Sequence, residues 1–407
     1  MERHAPVDSP ALARLQQVGL VLGAAGLIAG VAGGFVDRSA GDELIMGLSP
    51  QFFRSWLIGF LFCAGLTLGS LGWIMLHHLS GGQWGLVTRR VWEAGTRTLP
   101  VVAVFFLPVA LGVHAIFEWS HTDLVQSNAI LQQKEPYLNV SFFLIRALIY
   151  FALWMLCVAM LNRWSAAQDR GELATTPADM VRFRKVSAPG ILFLVLTVTF
   201  ASTDWIMSLE PEWYSTIFGL LTTASYGLSA LALSVIVLTA ISPRGELASV
   251  IAPKHFHDLG KFMLAFVMLW AYLAFSQFLI IWSGNLPEEI PWYIKRMQGV
   301  WGWISVLLIV GHFFLPFLLL LSRDLKRRPH LLSKVAVFVL VMTYAYNLWL
   351  VAPAFEHHGF PIHWLDIALP AGLFGIWLMA FARNLRSRAL VPHNDPYFRE
   401  AFAHEAH

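Results

Sequence analysis

Hydrophobic positions along this chain gather into ten long runs separated by short polar linkers. The runs span approximately 17–36, 53–76, 99–117, 140–161, 188–209, 216–241, 260–282, 299–321, 332–353 and 365–382. Each comes near the roughly 20 apolar residues that a helix needs to cross about 30 Å of hydrocarbon. Lipid offers no partner to a free N–H or C=O, so runs of this length predict helices that satisfy their own backbones. The expected fold is an all-α integral membrane protein with ten transmembrane helices, a single membrane domain over 1–407. Arg3 and Arg14 give the first run a basic flank, but Val18–Val36 is long and has no convincing small-residue cleavage site. It is read as a retained helix rather than a signal peptide.

Composition agrees. Hydrophobic residues make up 57% and charged residues 13% of the chain, against about 25% charged in a soluble globule. Seventeen Trp and thirty Phe suit lipid-facing helices with aromatic belts at the headgroups. The two cysteines, Cys63 and Cys157, lie far apart inside apolar runs and read as core packing rather than a disulfide. No C-x-x-C-H motif or four-Cys cluster is present, which excludes covalent c-type haem and a self-held iron–sulfur cluster. The net charge of +3 informs only when sorted by loop. Every Lys and Arg except Arg38, Arg54, Lys134, Arg146, Lys295 and Arg296 falls in or beside the two tails and the loops after even-numbered runs. By the positive-inside rule both termini are expected in the cytoplasm.

That orientation puts one polar set on the outer side. The third run ends in His114, Glu118, His121 and Asp123, with the first three spaced i, i+4, i+7 as on one helix face. The fifth run brings Asp204 to a similar depth. Arg146 lies roughly 9 Å into the fourth helix if that helix starts near Val140, at about 1.5 Å per residue. An intramembrane Arg needs a partner, and Asp204 or Glu118 is the natural one. Two readings stay open: a structural ion pair pinning helices together, or a polar pocket for a quinol headgroup in which a carboxylate or His accepts a hydroxyl proton.

A second set opens the seventh helix on the opposite side: His255, His257, Asp258 and Lys261. Asp258 and Lys261 suit a helix-surface pair, and Asp258 also suits a helix cap. The sharper alternative is the mouth of a proton half-channel. It would continue through Tyr272, Ser276 and Gln277, with Tyr226 in the sixth helix and Tyr344, Tyr346 and Asn347 in the ninth. Hydroxyls often bond back to their own helix, so such trails argue only weakly for a wire. Membrane b-type haem would need two His at one depth, and His114 and His312 do not match in depth.

The outer loops 209–214 (LEPEWY) and 286–293 (LPEEIPWY) are both acidic, proline-stiffened and aromatic, as expected of short ordered loops against a protein partner. No loop is long enough for a catalytic domain, so a redox cofactor must belong to another chain.

At this point a resemblance becomes specific. Lys134–Trp154, Thr199–Gly219 (TFASTDWIMSLEPEWYSTIFG), His257–Arg296, Leu331–Phe355 and the tail Leu390–Tyr397 (LVPHNDPY) resemble the NrfD-like, polysulfide-reductase-type membrane subunits of alternative complex III. The run IIWSGNLPEEIPWY is most similar to the shorter, ActF-type subunit. The resemblance implies two side-by-side four-helix bundles and two flanking helices, divided as 1–52, 53–209, 210–353 and 354–407. It implies a subunit of a quinol:electron-acceptor oxidoreductase that is not catalytic on its own. Partners would be a related larger NrfD-like subunit, a periplasmic Fe–S subunit and c-type cytochrome subunits. Fe–S clusters and haem c would sit in those partners, with quinone or menaquinone and lipid bound non-covalently and no nucleic acid involved. A bacterial inner-membrane location follows. One departure stands out: where the family pattern carries Arg and Asp in the ninth helix, this chain reads Met342-Thr343-Tyr344-Ala345-Tyr346-Asn347. That argues against a strict proton relay there. Readings from other classes are a secondary transporter, whose site would lie between broken helices near the midplane, and a passive anchor of a related complex.

Overall fold

Among the described residues of the computed structural model, ten helices are long and apolar enough to cross a membrane: α1 (Pro10–Val36), α2 (Pro50–Ser80), α3 (Gln83–Leu111), α4 (Val140–Asp169), α5 (Ala178–Leu209), α6 (Phe218–Ile241), α7 (Pro253–Gly284), α8 (Gly299–Leu321), α9 (Pro329–Ala354) and α10 (Leu365–Arg386). The structure describes residues 10–37, 44–173, 176–243, 247–355, 362–392 and 394–398. Arg3, Arg38 and His393 of the residues considered above lie outside them. The chain is thus an all-α protein with ten long apolar helices, consistent with a multi-pass membrane protein. Helices α1 and α10 run antiparallel, with Gly19 against Met379 and Gly33 against Trp364, so α1 begins and α10 ends on one side, here called the tail face. The opposite side is the loop face.

Most helices run a turn or two beyond their apolar runs. Asn139 accepts from the Phe142 N–H at the start of α4, a side-chain cap for an otherwise orphan donor. The main departure is α3. It begins at Gln83 rather than 99 and ends at Leu111 rather than 117. Its two helical stretches, Gln83–Thr96 and Leu99–Leu111, meet at a break where Pro100 has no N–H to return to the Thr96 carbonyl. After Gly112 comes a single turn, Val113–Ile116, and then Phe117 is extended at φ −118° and ψ 118°. The chain resumes as a 3₁₀ turn over Glu118–Ser120. The one-face helical array expected for His114, Glu118 and His121 therefore does not form.

Helices α2 and α6 pack on each other and form the buried centre. Around α2 lie α3, α5 and α10; around α6 lie α5, α7 and α9. Helix α4 packs on α3 and α5, and α8 packs on α7 and α9. Helix α1 sits at the edge, held chiefly by α10. Their backbones nearly touch: a Cβ built on Gly26 would come 2.5 Å from the Gly372 nitrogen, and one on Gly375 would come 2.3 Å from the Gly23 nitrogen. Small residues allow this approach where lipid supplies no hydrophobic drive. Helix α8 contains a π-helical turn, Ile309–Phe314. Pro316, just beyond, has no N–H for the His312 carbonyl, which favours the wider turn.

Candidate functional site

At the loop-face end of α4 and α5, Arg146 and Asp204 form a two-pronged pair. Arg146 Nε donates to Oδ2 at 3.0 Å and Nη2 to Oδ1 at 2.9 Å. Tyr150 OH donates to Oδ2 at 2.8 Å, and Arg146 Nη1 donates to the Tyr137 carbonyl at 2.8 Å. The guanidinium also lies 3.8 Å from the Tyr137 ring centre and 4.4 Å from that of Phe142. Asp204 is 0% exposed. Both charges are satisfied in a fork geometry. The arrangement is a lock in which each charge is paired with the other.

Glu118 is not a partner of Arg146. It is exposed on the loop face, where partial desolvation raises its carboxyl above the usual range and nearby Lys295 opposes the rise. His121 Nε2 lies 2.8 Å from the His114 carbonyl, with the two rings 5.5 Å apart. Asp123 is exposed in the first turn of Thr122–Ser127. The raised Glu118 pKa gives a pH dependence with a definite sign. Between the unfolded and folded values, the folded chain holds the extra proton, so stability falls as pH rises through that window. The penalty is absent below the window and complete above it. Thermal unfolding of Glu118→Gln across pH should lose that slope; an unchanged slope would assign it elsewhere.

Beside this lies a platform that links the loops after α5 and α7. Trp213 and Trp292 stack at 4.3 Å with planes 10° apart. Arg296, buried, lies 3.9 Å from the Trp292 ring centre and donates to the carbonyls of Trp292, Trp349 and Leu350 at 3.0, 3.2 and 2.8 Å. Glu210 pairs with Arg296 at 2.7 Å and with Lys295 at 3.3 Å. Asn128 donates to Glu212 at 2.9 Å, and Lys134 donates to the Pro211 carbonyl. The acidic-aromatic loop motifs hinted at this order. The central role of Arg296 was not visible, because as a sequence it reads as an ordinary loop cation.

Between α7, α8 and α9 lies a cleft of about 510 Å³. Its walls are aromatic, with Trp270, Phe278, Phe313, Tyr346 and Trp349 among them. Phe275, Met297, Ile309 and Phe314 line it and are also exposed, so it opens sideways on the apolar surface. One end is polar. Ser215 Oγ donates to Gln277 Oε1 at 2.9 Å, and Gln277 Nε2 donates to the Tyr293 hydroxyl at 3.2 Å. Burial pushes the Tyr293 hydroxyl up to about 12, so it stays protonated at neutral pH. Trp349 Nε1 donates to Ser305 Oγ at 2.7 Å, and Ser305 donates to the Arg296 carbonyl at 2.7 Å. Behind the wall, His312 sits in the π-helical turn, fully buried, with its ring 4.4 Å from Trp270 and edge-on. Neither of its ring nitrogens has a partner among the described residues.

The remaining tail-face candidates do not join into a chain. His255 Nδ1 accepts from the Ala252 N–H at 3.0 Å, so His255 rather than Asp258 caps α7. Asp258 pairs with Lys261 at 3.1 Å in the open, and His257 Nδ1 is 3.9 Å from Asp258. Tyr272 is 66% exposed on the apolar surface. Tyr226 is buried against Gly65 and Gly69 of α2. Tyr344 donates to the Asp366 carbonyl. Of the proposed half-channel residues, Gln277 and Tyr346 line the cleft.

Sequence reasoning missed a buried ionic cluster at the tail face. Glu93 accepts from Arg89 at 2.8 Å, Arg90 at 2.7 Å and Ser165 at 2.6 Å, with Arg388 at 3.5 Å. Arg89 also pairs with Asp395 at 2.5 Å, and Arg90 pairs with Asp169. Three guanidinium groups face three carboxylates. Asp366, at the other end, is a further buried acid, accepting from Gln51 at 2.9 Å and Ser55 at 2.6 Å. Cys63 and Cys157 are both free. Among the described residues no group of three or more His, Cys, Asp or Glu is placed to hold a metal ion. No model of a known protein family matches the chain, and no curated protein matches it.

Proposed function

We propose that this chain is a membrane subunit of a quinol:electron-acceptor oxidoreductase of the alternative complex III type. On this reading α2–α5 and α6–α9 are two four-helix bundles flanked by α1 and α10. The tail face is cytoplasmic and the loop face is periplasmic, in a bacterial inner membrane. The observation that carries the reading is the stacked Trp213–Trp292 platform with Arg296 and Glu210 beneath it. The two rings and Arg296 are buried, so they hold the loops after α5 and α7 in place from beneath, as docking at little ordering cost requires. The acidic and histidine rim of Glu118, His114, His121 and Asp123 borders the same face. The closed Arg146–Asp204 lock supports an anchoring role for the first bundle rather than chemistry at that pair. Redox groups belong to the partners: Fe–S clusters and haem c in outer subunits, beside a related larger membrane subunit. The chain itself positions them against the membrane pool of quinol.

Mild-detergent purification of the tagged chain from its native membrane tests this. Co-purifying multihaem cytochrome c and Fe–S subunits, with quinol-dependent haem reduction, is the expected result. A colourless protein stable alone would overturn it and favour a transporter. Trp213→Ala should then strip the outer subunits from the complex while the isolated chain keeps its elution volume. Full retention of those subunits would show that docking lies elsewhere.

A further inference from the structure

The cleft between α7, α8 and α9 is a built site whose occupant can be argued from its lining. It falls within the roughly 300–1,000 Å³ typical of small-molecule sites, and it is apolar with a few convergent polar groups. No Lys, Arg, Asp or Glu lines it. Arg296, the nearest buried cation behind it, spends its donors on three carbonyls and Glu210. A phosphate head would therefore enter without a counter-charge, at a high desolvation cost. The head must be neutral. Aromatic walls favour a flat ring, which offset or edge-on contacts hold better than a flexible chain.

The polar end specifies more. Ser215 and Tyr293 hydroxyls flank the Gln277 amide, and both hydroxyls can donate or accept. The Tyr293 hydroxyl accepts from Gln277 and has no acceptor for its own proton among the described residues. Its O–H is free to meet a carbonyl. If the Gln277 amide turns over, the direction of the chain reverses, and Tyr293 becomes able to accept from a ligand hydroxyl. One pair of side chains can thus hold both a ring carbonyl and the hydroxyl that replaces it on reduction. The sideways mouth, bounded by Phe275, Met297, Ile309 and Phe314, leaves a hydrocarbon tail in lipid.

We propose that this cleft binds a quinone-class ring, with its carbonyl or hydroxyl on Tyr293 and Gln277 and its isoprenoid tail passing between α7 and α8 into the bilayer. The site lies away from the Arg146–Asp204 lock. It rests on the function proposed above only for the presence of a quinol pool as its source.

The test is photolabelling of the tagged chain, with whatever co-purifies, by an azidobenzoquinone carrying a decyl tail. Peptides are then mapped by mass spectrometry. Label should concentrate on 270–278 and 293–314 and be competed by decylubiquinone but not by phosphatidylglycerol. Gln277→Leu and Tyr293→Phe should each lower it severalfold, and together about tenfold, the scale of two hydrogen bonds of about 0.5–1.5 kcal/mol. Tyr272→Phe, exposed on the same helix, should leave it unchanged. Label spread evenly over lipid-facing helices, competition by phospholipid, or insensitivity to both substitutions would overturn the site and make the cleft an acyl-chain groove. Labelled cleft without redox partners would sink complex membership and keep the site. Redox partners with label elsewhere would do the reverse.

Discussion

Replacing Arg146 with Met should destabilise the folded protein by about 3–5 kcal/mol, the range for removing one partner of a buried ion pair. The loss has a clear origin. Asp204 is wholly buried and takes two of its three side-chain hydrogen bonds from Arg146. Without the guanidinium, its carboxylate keeps only Tyr150, and the Tyr137 carbonyl loses its donor as well. The stem of Met cannot replace the contacts over Tyr137 and Phe142. The double change Arg146→Met with Asp204→Leu removes the orphaned charge and should recover much of the loss, because apolar replacements of a buried pair are often tolerated. Thermal unfolding in detergent, followed by size-exclusion of the soluble fraction, measures both. A stable single variant with selectively lost quinol chemistry would show that the pair works rather than locks.

The second large effect lies at the other face. Asp395→Ala should cost a similar ~3–5 kcal/mol, although it sits in a tail that a hydropathy plot treats as trailing polar sequence. Its carboxylate is fully buried on Arg89, and the Tyr397 N–H caps the same side chain at 2.9 Å. Removing it leaves Arg89 to share Glu93 with Arg90 and Arg388, three cations on one remaining central acid beside Asp169. The tail is also held by Asn394 to the Asp169 carbonyl at 2.9 Å and by Tyr397 to Arg184 at 2.7 Å. Limited proteolysis at the tail and the unfolding midpoint should shift together. Wild-type values for both would mean that the cluster redistributes its charges without strain.

The two locks differ in how far they could be foreseen. Arg146 and Asp204 stand inside apolar runs, where a charge is conspicuous and the depth of each follows from helical rise. Their pairing was legible for that reason. Arg89, Arg90 and Glu93 stand in a stretch whose charges pull it below any hydropathy threshold, so residues 83–98 read as a loop. The structure makes them the first half of α3 because their charges cancel against one another and against Asp395, some three hundred positions later. No local pattern carries that information. The cleft was hidden for the opposite reason: apolar side chains make most of it, and Gln277 and Tyr293 meet only because the chain turns between α7 and α8. Glu118, the alternative partner for Arg146, lies beyond Phe117, where the backbone is extended, so helical spacing does not carry it to that depth.

The glycine-lined seam between α1 and α10 bears on how the molecule is made. The two helices that meet there are separated by the eight other described spans, so their contact cannot form until the last of the ten has been made. In the folding of this stretch the seam is a late contact that closes a very long loop.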